Sequence, residues 1–352
     1  MTFTHVHEED FMTVIIGIDP HKATHMAVAI DSDEHAVGRL EVCADDCQTQ
    51  RLLAWAAPLG AERTWAIESA GGLGKLLSQE LVAAGEHVVD VPPTLAARVR
   101  LLGATKASKN DGNDALSTAI AGLRHCELRA VRGDDHTTVL RLLVSRYDDL
   151  TSLRTQAACR LHAVLRELIA GGAPLRLSAD RAAKLLRGVR PDGTVGLERR
   201  RLAIELLGDM RRLDRELVGI KTRIGDAVAA ANTTLLELHG VGPIVAGLIL
   251  AHVGDPTRFP TPARFASYNA TAPIEASSGP RKRHRLNPRG NRKLNHAMHL
   301  IAVTQIRHDT PGRVYYDRKL AEGKTKKEAL RALKRRISDA VWHQLQVDIA
   351  AR

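Results

Sequence analysis

Aromatic side chains are scarce in this 352-residue chain, 3% in all, which disfavours a surface that holds single strands by base stacking and favours contact with a nucleic-acid backbone. Cysteine is almost as rare. Cys43, Cys47, Cys126 and Cys159 form no Cys-x-x-Cys pair and no close Cys/His ligand set, so neither a disulfide framework nor a structural zinc is expected. No stretch approaches the ~20 uncharged apolar residues that a membrane span requires. The first ten residues are acidic and carry histidine, with no basic stretch leading into an apolar run, so they do not read as a secretory signal. A cytoplasmic protein with no membrane partner is expected. What is present is an ordinary globular balance, 44% apolar and 26% charged, with length for two or three modest domains.

The charge is unevenly placed. Residues 281–352 hold 19 Lys and Arg against 6 Asp and Glu, net +13, whereas residues 1–280 are net −2. A near-neutral body with a strongly basic end is the footprint of a polyanion partner, because each phosphate neutralised releases condensed counterions. Charge pattern alone fits a solvated basic helix equally well.

Three strand candidates open the chain, at Val14 to Ile18, His25 to Ile30 and Ala36 to Val42. Helix at Asp46 to Ala57, strand at Thr64 to Ile67, helix at Gly74 to Ala84 and strand at His87 to Val91 follow, before Pro92 and Pro93. A meander followed by alternating helix and strand is the order of an α/β domain of ribonuclease H type, with parallel pairing in its later strands. From about His136 to Leu168 and from about Leu197 to Ala230, apolar residues recur every three or four positions. Both segments read as long amphipathic helices forming a hairpin or coiled-coil arm, with one short helix between them. The arm packs within the monomer or pairs two copies. Around Gly240 and Gly242, a tight Gly-Val-Gly turn lies between two apolar segments, with Pro243 placed for a first helical turn. Such a helix-hairpin-helix module lets backbone N–H groups approach a phosphate.

Asp19 follows the first strand and Glu68 follows the strand Thr64 to Ile67, while Asp111 and Asp114 lie three apart at the opening of a helix. Each alone would serve as a cap or dipole partner. Together, on this strand order, they suit Mg2+, a hard cation that prefers oxygen ligands and supports phosphoryl chemistry. His21 and Lys22 stand beside Asp19, as phosphate contacts or as plain loop residues.

Gly17 to Lys22 (Gly-Ile-Asp-Pro-His-Lys), Ala66 to Ser69 (Ala-Ile-Glu-Ser), Lys109 to Ala115 (Lys-Asn-Asp-Gly-Asn-Asp-Ala), the glycine turn within Leu238 to Leu250, and Ala272 to Gly279 (Ala-Pro-Ile-Glu-Ala-Ser-Ser-Gly) followed by Gly290 to Leu294 (Gly-Asn-Arg-Lys-Leu) occur in that order. Together they resemble the insertion sequence 110 family of DEDD-type transposases, the bridge-RNA-guided recombinases. The resemblance implies an α/β plus α architecture. Residues 1–130 would form a RuvC-like (ribonuclease H-like) domain, residues 131–232 a helical coiled-coil linker, and residues 233–352 a mostly helical C-terminal transposase domain with the helix-hairpin-helix. It implies Mg2+ on Asp19, Glu68, Asp111 and Asp114, and a nucleophilic serine at Ser278, with adjacent Ser277 the alternative. It also implies a structured non-coding guide RNA that pairs with donor and target DNA and supplies the specificity, and a homo-oligomer, dimer or tetramer. Gly240, Gly242, Arg281, Lys282, Arg283, Arg285, Arg292 and Lys293 are the candidate backbone contacts. The run Pro280 to Arg285 is denser in basic residues than the family motif requires, as a phosphate clamp or as a solvated loop.

Three activities compete. A recombinase would cut and rejoin DNA through a covalent phosphoserine, a RuvC-like structure-specific nuclease would hydrolyse junctions with metal-activated water, and a scaffold would bind without cutting.

Overall fold

A computed structural model of the chain describes residues 14–103, 111–125, 127–275, 284–285, 287–288 and 290–351. It divides into two compact units, 1–134 and 135–352. The expected boundary near 232 lies inside the second unit, where the long hairpin and the C-terminal helices share one core.

The first unit is built on strands β1 (Val14–Pro20), β2 (Thr24–Ile30), β3 (Ala36–Cys43), β4 (Arg63–Glu68), β5 (His87–Val91) and β6 (Arg129–Ala130), with helices α1 (Gln48–Ala56), α2 (Lys75–Ala83), α3 (Pro93–Gly103) and α4 (Asp111–Arg124). The sheet order is β3-β2-β1-β4-β5-β6. β1, β2 and β3 are antiparallel neighbours, β4 and β5 run parallel to β1, and β6 returns antiparallel to β5. The meander followed by alternating helix and strand expected from the sequence is therefore present, with β4 and β5 parallel to β1. β1 is apolar from Val14 to Ile18 because it is central and covered on both faces. Val14, Ile16 and Ile18 face one core with Trp65, Leu52, Leu77 and Leu81, while Ile15 faces the other with Ala66, Ala115 and Ala119. β1 also runs further than expected, through Asp19 and Pro20.

α4 lies unusually close on the sheet. A Cβ added to Gly17 would stand 2.2 Å from the Ala115 carbonyl oxygen and 2.4 Å from the Ala119 nitrogen, and one on Gly122 would stand 2.6 Å from Ala66 Cβ. Only glycine fits at these crossings. The start of α4 consequently sits over the carboxyl end of β1. At the opposite end of the sheet, Arg63 and Trp65 both donate to Glu86.

The second unit is helical apart from one two-stranded ribbon, β7 (Ile274–Glu275) with β8 (His284–Arg285). Its helices are α5 (His136–Leu168), α6 (Ala179–Gly188), α7 (Gly193–Ala230), α8 (Pro243–Val253), α9 (Pro262–Tyr268), α10 (Arg292–Arg307), α11 (Pro311–Ala321) and α12 (Lys326–Ala350). α5 and α7 form an antiparallel hairpin, since Arg146–Glu216, Arg154–Asp214 and Glu167–Arg199 pair in opposite order along the two helices. Along these two helices Leu140, Leu143, Leu150, Leu161, Leu165, Leu206, Leu213 and Ile224 are buried, whereas Leu202 is exposed.

Where a full helix is expected before the glycine turn, Thr234–Glu237 forms a single 3-10 turn. That turn is pinned from the far end of the chain, because buried Asp348 of α12 accepts hydrogen bonds from the Thr233 and Thr234 hydroxyls and the Thr234 N–H. α8, apolar on every side, is buried against α7 at Gly247. Among the described residues no helix is long and apolar enough to cross a membrane.

Candidate metal centre

Side chains alternate across a strand. Because Ile15 and Ala66 share the core beneath α4, Asp19 and Glu68 fall on that same face of β1 and β4. The parallel register pairs Ile18 with Ile67, so the two acids follow at the same level on neighbouring strands. Beyond Glu68 the chain turns sharply through Ser69, held by Ser69 N–H donating to the Val91 carbonyl at 3.0 Å and Ala70 N–H donating to Asp90 Oδ1 at 2.8 Å. Asp111 and Asp114 occupy the first turn of α4, which the Gly17 crossing sets over this edge. All four expected acids thus belong to one corner of the first unit.

Within that corner the side chains are not equivalent. Asp19, His21 and Asp111 each offer a ligand atom within 4.8 Å of the other two. Two carboxylates and an imidazole, converging from a strand end, a hairpin and a helix start, fit a divalent cation. Glu68 and Asp114 lie outside that group of mutually close atoms. Asp114, nearly buried, is instead held by Arg100 of α3. Arg39 of β3 also reaches α4, since a Cβ on Gly112 would stand 3.0 Å from its guanidinium carbon. Arginines from two elements therefore flank the first turn of α4, offering charge to a carboxylate or a phosphate. No local pattern marks either arginine; α3 begins at Pro93, and proline suits a first helical position.

The remaining expected residues lie in the second unit. Ser277, Ser278, Arg281, Lys282 and Arg283 lie outside the described residues, and Arg285 is described only as part of β8. The backbone leading to this motif is firmly braced. Fully buried Asn269 donates to Ser338 Oγ and accepts from Thr271, while Asn295 donates to the carbonyls of Asn269 and Ala270 and accepts from Lys334. Burial holds the Lys334 ammonium below the usual lysine range. Arg264, Ser267, Tyr268, Asn287, Gly290 and Asn291 line an open polar cleft of about 620 Å³ beside this brace.

Arg292 and Lys293 are exposed on the first turn of α10, which Asn291 caps; Lys293 is paired with Asp148 of α5 at 2.5 Å. The two glycines of the turn differ. Gly240, at φ +92°, packs against Ile301 and Thr304 of α10, whereas Gly242 caps α8 with open space around it.

A mixed sheet of this order with an acidic corner, and a second unit of helices, place the chain in the α/β plus α class. Comparison with known proteins makes the class specific. A family model described as "Transposase", for the DEDD transposases of insertion sequence 110, matches residues 16–170, and a second, "Transposase IS116/IS110/IS902 family", matches residues 232–317. The chain is 28% identical to the "Insertion element IS900 uncharacterized 42 kDa protein" of Mycobacterium paratuberculosis, over 94% of this chain and 95% of the relative. It is 29% identical to the "Insertion element IS116 uncharacterized 44.8 kDa protein" of Streptomyces clavuligerus, over 94% of each. Among solved structures it is similar to T. thermophilus RuvC in complex with Holliday junction substrate, at 20% identity and a TM-score of 0.28, over 34% of this chain and 99% of that one. The chain belongs to the insertion sequence 110 family of transposases and is an enzyme that acts on DNA.

Proposed function

We propose that this transposase is a site-specific recombinase that cuts and rejoins donor and target DNA through a serine nucleophile, with Asp19, Glu68, Asp111 and Asp114 holding Mg2+. The observation that carries the reading is the approach of Asp111 to Asp19 across some ninety residues of sequence, fixed by the backbone contact at Gly17. A divalent cation bound there would supply Lewis-acid stabilisation of charge developing on the scissile phosphate. Ser278 is the nucleophile in this reading. Its oxygen bonds to phosphorus as the bond to the leaving DNA hydroxyl breaks, the serine proton is passed on, and the leaving oxygen gains one. The number of phosphate ester bonds is unchanged, so a second DNA hydroxyl reverses the step and reseals the strand.

Residues 1–130 act as the RuvC-like catalytic domain, residues 131–232 as an arm, and residues 233–352 as the transposase domain. Gly242, Arg281, Lys282, Arg283, Arg285, Arg292 and Lys293 hold phosphates. Gly240 shapes the turn that resembles a helix-hairpin-helix. A non-coding RNA supplies sequence specificity, and a homo-oligomer, dimer or tetramer, assembles on the DNA in the cytoplasm. The scarcity of aromatics and the basic C-terminal end support this division between protein and RNA.

The test is a denaturing gel of full-length protein, with the RNA that copurifies with it, Mg2+ and labelled DNA carrying the ends of the encoding element. The expected result is a protein–DNA adduct that Ser278→Ala abolishes and Ser277→Ala retains. Cleaved free ends without an adduct would assign the four carboxylates to a RuvC-like nuclease acting through water, and intact DNA would leave a binding scaffold.

A further inference from the structure

Resting on the reading of this corner as a cation site, we propose that His21 is itself a ligand. Its imidazole joins Asp19 and Asp111 on one divalent cation, making a mixed nitrogen and oxygen site that takes Mn2+ in preference to Mg2+. Three observations carry this. β1 continues through Pro20, whose ring fixes its backbone, and His21 N–H donates to the Thr24 carbonyl at 3.0 Å, so a closed hairpin anchors the histidine. His21 Nδ1 stands 3.8 Å from Asp19 Oδ2. Asp111, from the first turn of a distant helix, brings its own oxygen within 4.8 Å of both.

The molecule contains its own contrast. In the next hairpin His35 Nδ1 lies 3.6 Å from Asp31 Oδ2, with its side chain 79% exposed. Among the described residues no third ligand converges on that pair to make a metal-capable group. Contact between a histidine and a sequence-near aspartate is therefore commonplace on this surface. The third group, from an element held in place by an obligatory glycine crossing, distinguishes His21. Nitrogen is a ligand that Mg2+ accepts poorly and that first-row divalent ions accept well. Two carboxylates beside it match Mn2+.

The experiment uses full-length protein titrated with Mn2+ alone, bound ion being counted from the loss of the free-ion EPR signal and its ligands read by pulsed EPR. The expected result is an Asp19-dependent Mn2+ showing the nitrogen modulation of a coordinated imidazole, displaced by Mg2+ only at large excess. His21→Ala should remove the modulation and weaken Mn2+ by roughly tenfold or more, since outer-shell partners alone are worth that much. His21→Asp should retain the ion and swing preference toward Mg2+, and His35→Ala should change nothing. Wild-type protein that binds Mn2+ at an Asp19-dependent site without nitrogen modulation overturns the proposal, as does modulation that survives His21→Ala, and either leaves the carboxylate site standing. Mn2+ binding undiminished by Asp19→Asn would instead bring down the cation-site reading itself. The wild-type spectrum decides the matter even if a variant fails to fold.

Discussion

The two units carry opposite charge and differ in how a helix meets its neighbours. Residues 1–134 hold 12 Lys and Arg against 19 Asp and Glu, net −7, and residues 135–352 hold 39 against 21, net +18. The acidic unit brings a helix backbone onto a strand by removing side chains, at Gly17 and Gly122. The basic unit fills one long core with leucine and isoleucine, from Leu140 on α5 to Leu345 on α12, and uses glycine for close approach only locally, as at Gly247 and Gly290. The difference follows from what each must do. A cation site needs carboxylates held to within fractions of an ångström, and a backbone crossing is stiffer than a side-chain one. A surface for polyanions needs only many positive charges on a stable frame. An acidic corner repels phosphate until a cation lies between them, and the net positive charge lies in the other unit, as the proposed division of DNA binding requires.

The largest effect expected from breaking this contrast is chemical. Asp19→Asn or Asp111→Asn removes a cation ligand while leaving volume unchanged, so DNA cleavage should fall by about 1,000-fold, the equivalent of about 4 kcal/mol of transition-state stabilisation. Melting temperature should hardly move, and on the proposal that phosphates are held by the basic unit DNA affinity should hardly move either. Single-turnover cleavage beside a thermal melt and a filter-binding curve checks it. Full cleavage by either variant would remove the corner from the chemistry.

Next comes the crossing itself. Gly17→Ala places a methyl group 2.2 Å from a backbone oxygen of α4, and neither backbone can yield cheaply. The first unit should lose about 3 kcal/mol, the upper end for overpacking, and Asp111 should be displaced from Asp19. Gly242→Ala in the basic unit, where φ is −92° and nothing stands within 4 Å, should stay within about 0.5 kcal/mol. Denaturant unfolding of the two variants measures the contrast directly, and equal destabilisation would refute it.

How far this was legible in sequence differs between the units for the same physical reason. β1 reads plainly because a central strand of Val and Ile can be little else. α5, His136–Leu168, lies where the helical period places a helix from about His136 to Leu168, because that period is long; its start is fixed by Asp135, which caps it through the Thr137 and Thr138 N–H groups. The spacing of Asp111 and Asp114 announces a shared helix turn. Nothing local announces that Arg100 holds Asp114, or that Asp348 fixes the Thr233–Thr234 turn, since both partnerships are made by tertiary packing across unrelated segments. The run after Thr233 reads as a helix by its leucines yet forms one 3-10 turn, because the bonds to Asp348 outweigh a weak local preference. Proline cuts both ways, closing β1 at Pro20 and opening α3 at Pro93.

Each unit also contains a carboxylate whose loss should be readable in acid. At Glu86, burial works to raise the pKa, but hydrogen bonds from Arg63 and Trp65 with the Arg63 charge outweigh it, and the carboxyl sits below the ordinary range. At Asp135, burial is likewise outweighed, by the bonds from Thr137 and Thr138 and the His136 charge. A depressed native pKa means the folded state binds its proton more weakly than the unfolded chain. The stabilisation is therefore complete above the unfolded carboxylate pKa and disappears as pH falls through the native one. Arg63→Ala should cost about 2 kcal/mol at pH 7, a charged hydrogen-bonded pair being worth that much, and Asp135→Ala about 1 kcal/mol for a lost cap. Both deficits should shrink below about pH 4. Thermal melts of each variant against wild type at pH 7 and pH 3.5 check this, and a deficit that persists or grows in acid would contradict it.

The smallest effect tests whether the basic surface works charge by charge. Counterion release gives a slope of roughly −0.9 in log affinity against log salt for each duplex phosphate contacted, so losing one contact changes the slope by about one unit whatever the DNA sequence. Arg292 and Lys293 are neighbours on the first turn of α10, and Lys293 is paired with Asp148 at 2.5 Å, with side chains 52% and 34% exposed. An ion pair this exposed contributes little to stability, yet it draws the ammonium toward its own protein and away from a phosphate. Arg292→Ala should therefore flatten the slope by close to a full contact and Lys293→Ala by less. Asp148→Asn, which releases the lysine, should tighten binding and steepen the slope. Fluorescence anisotropy with one duplex at several salt concentrations ranks the three, and an Asp148→Asn protein that binds no more tightly than wild type would show that Lys293 does not face the DNA.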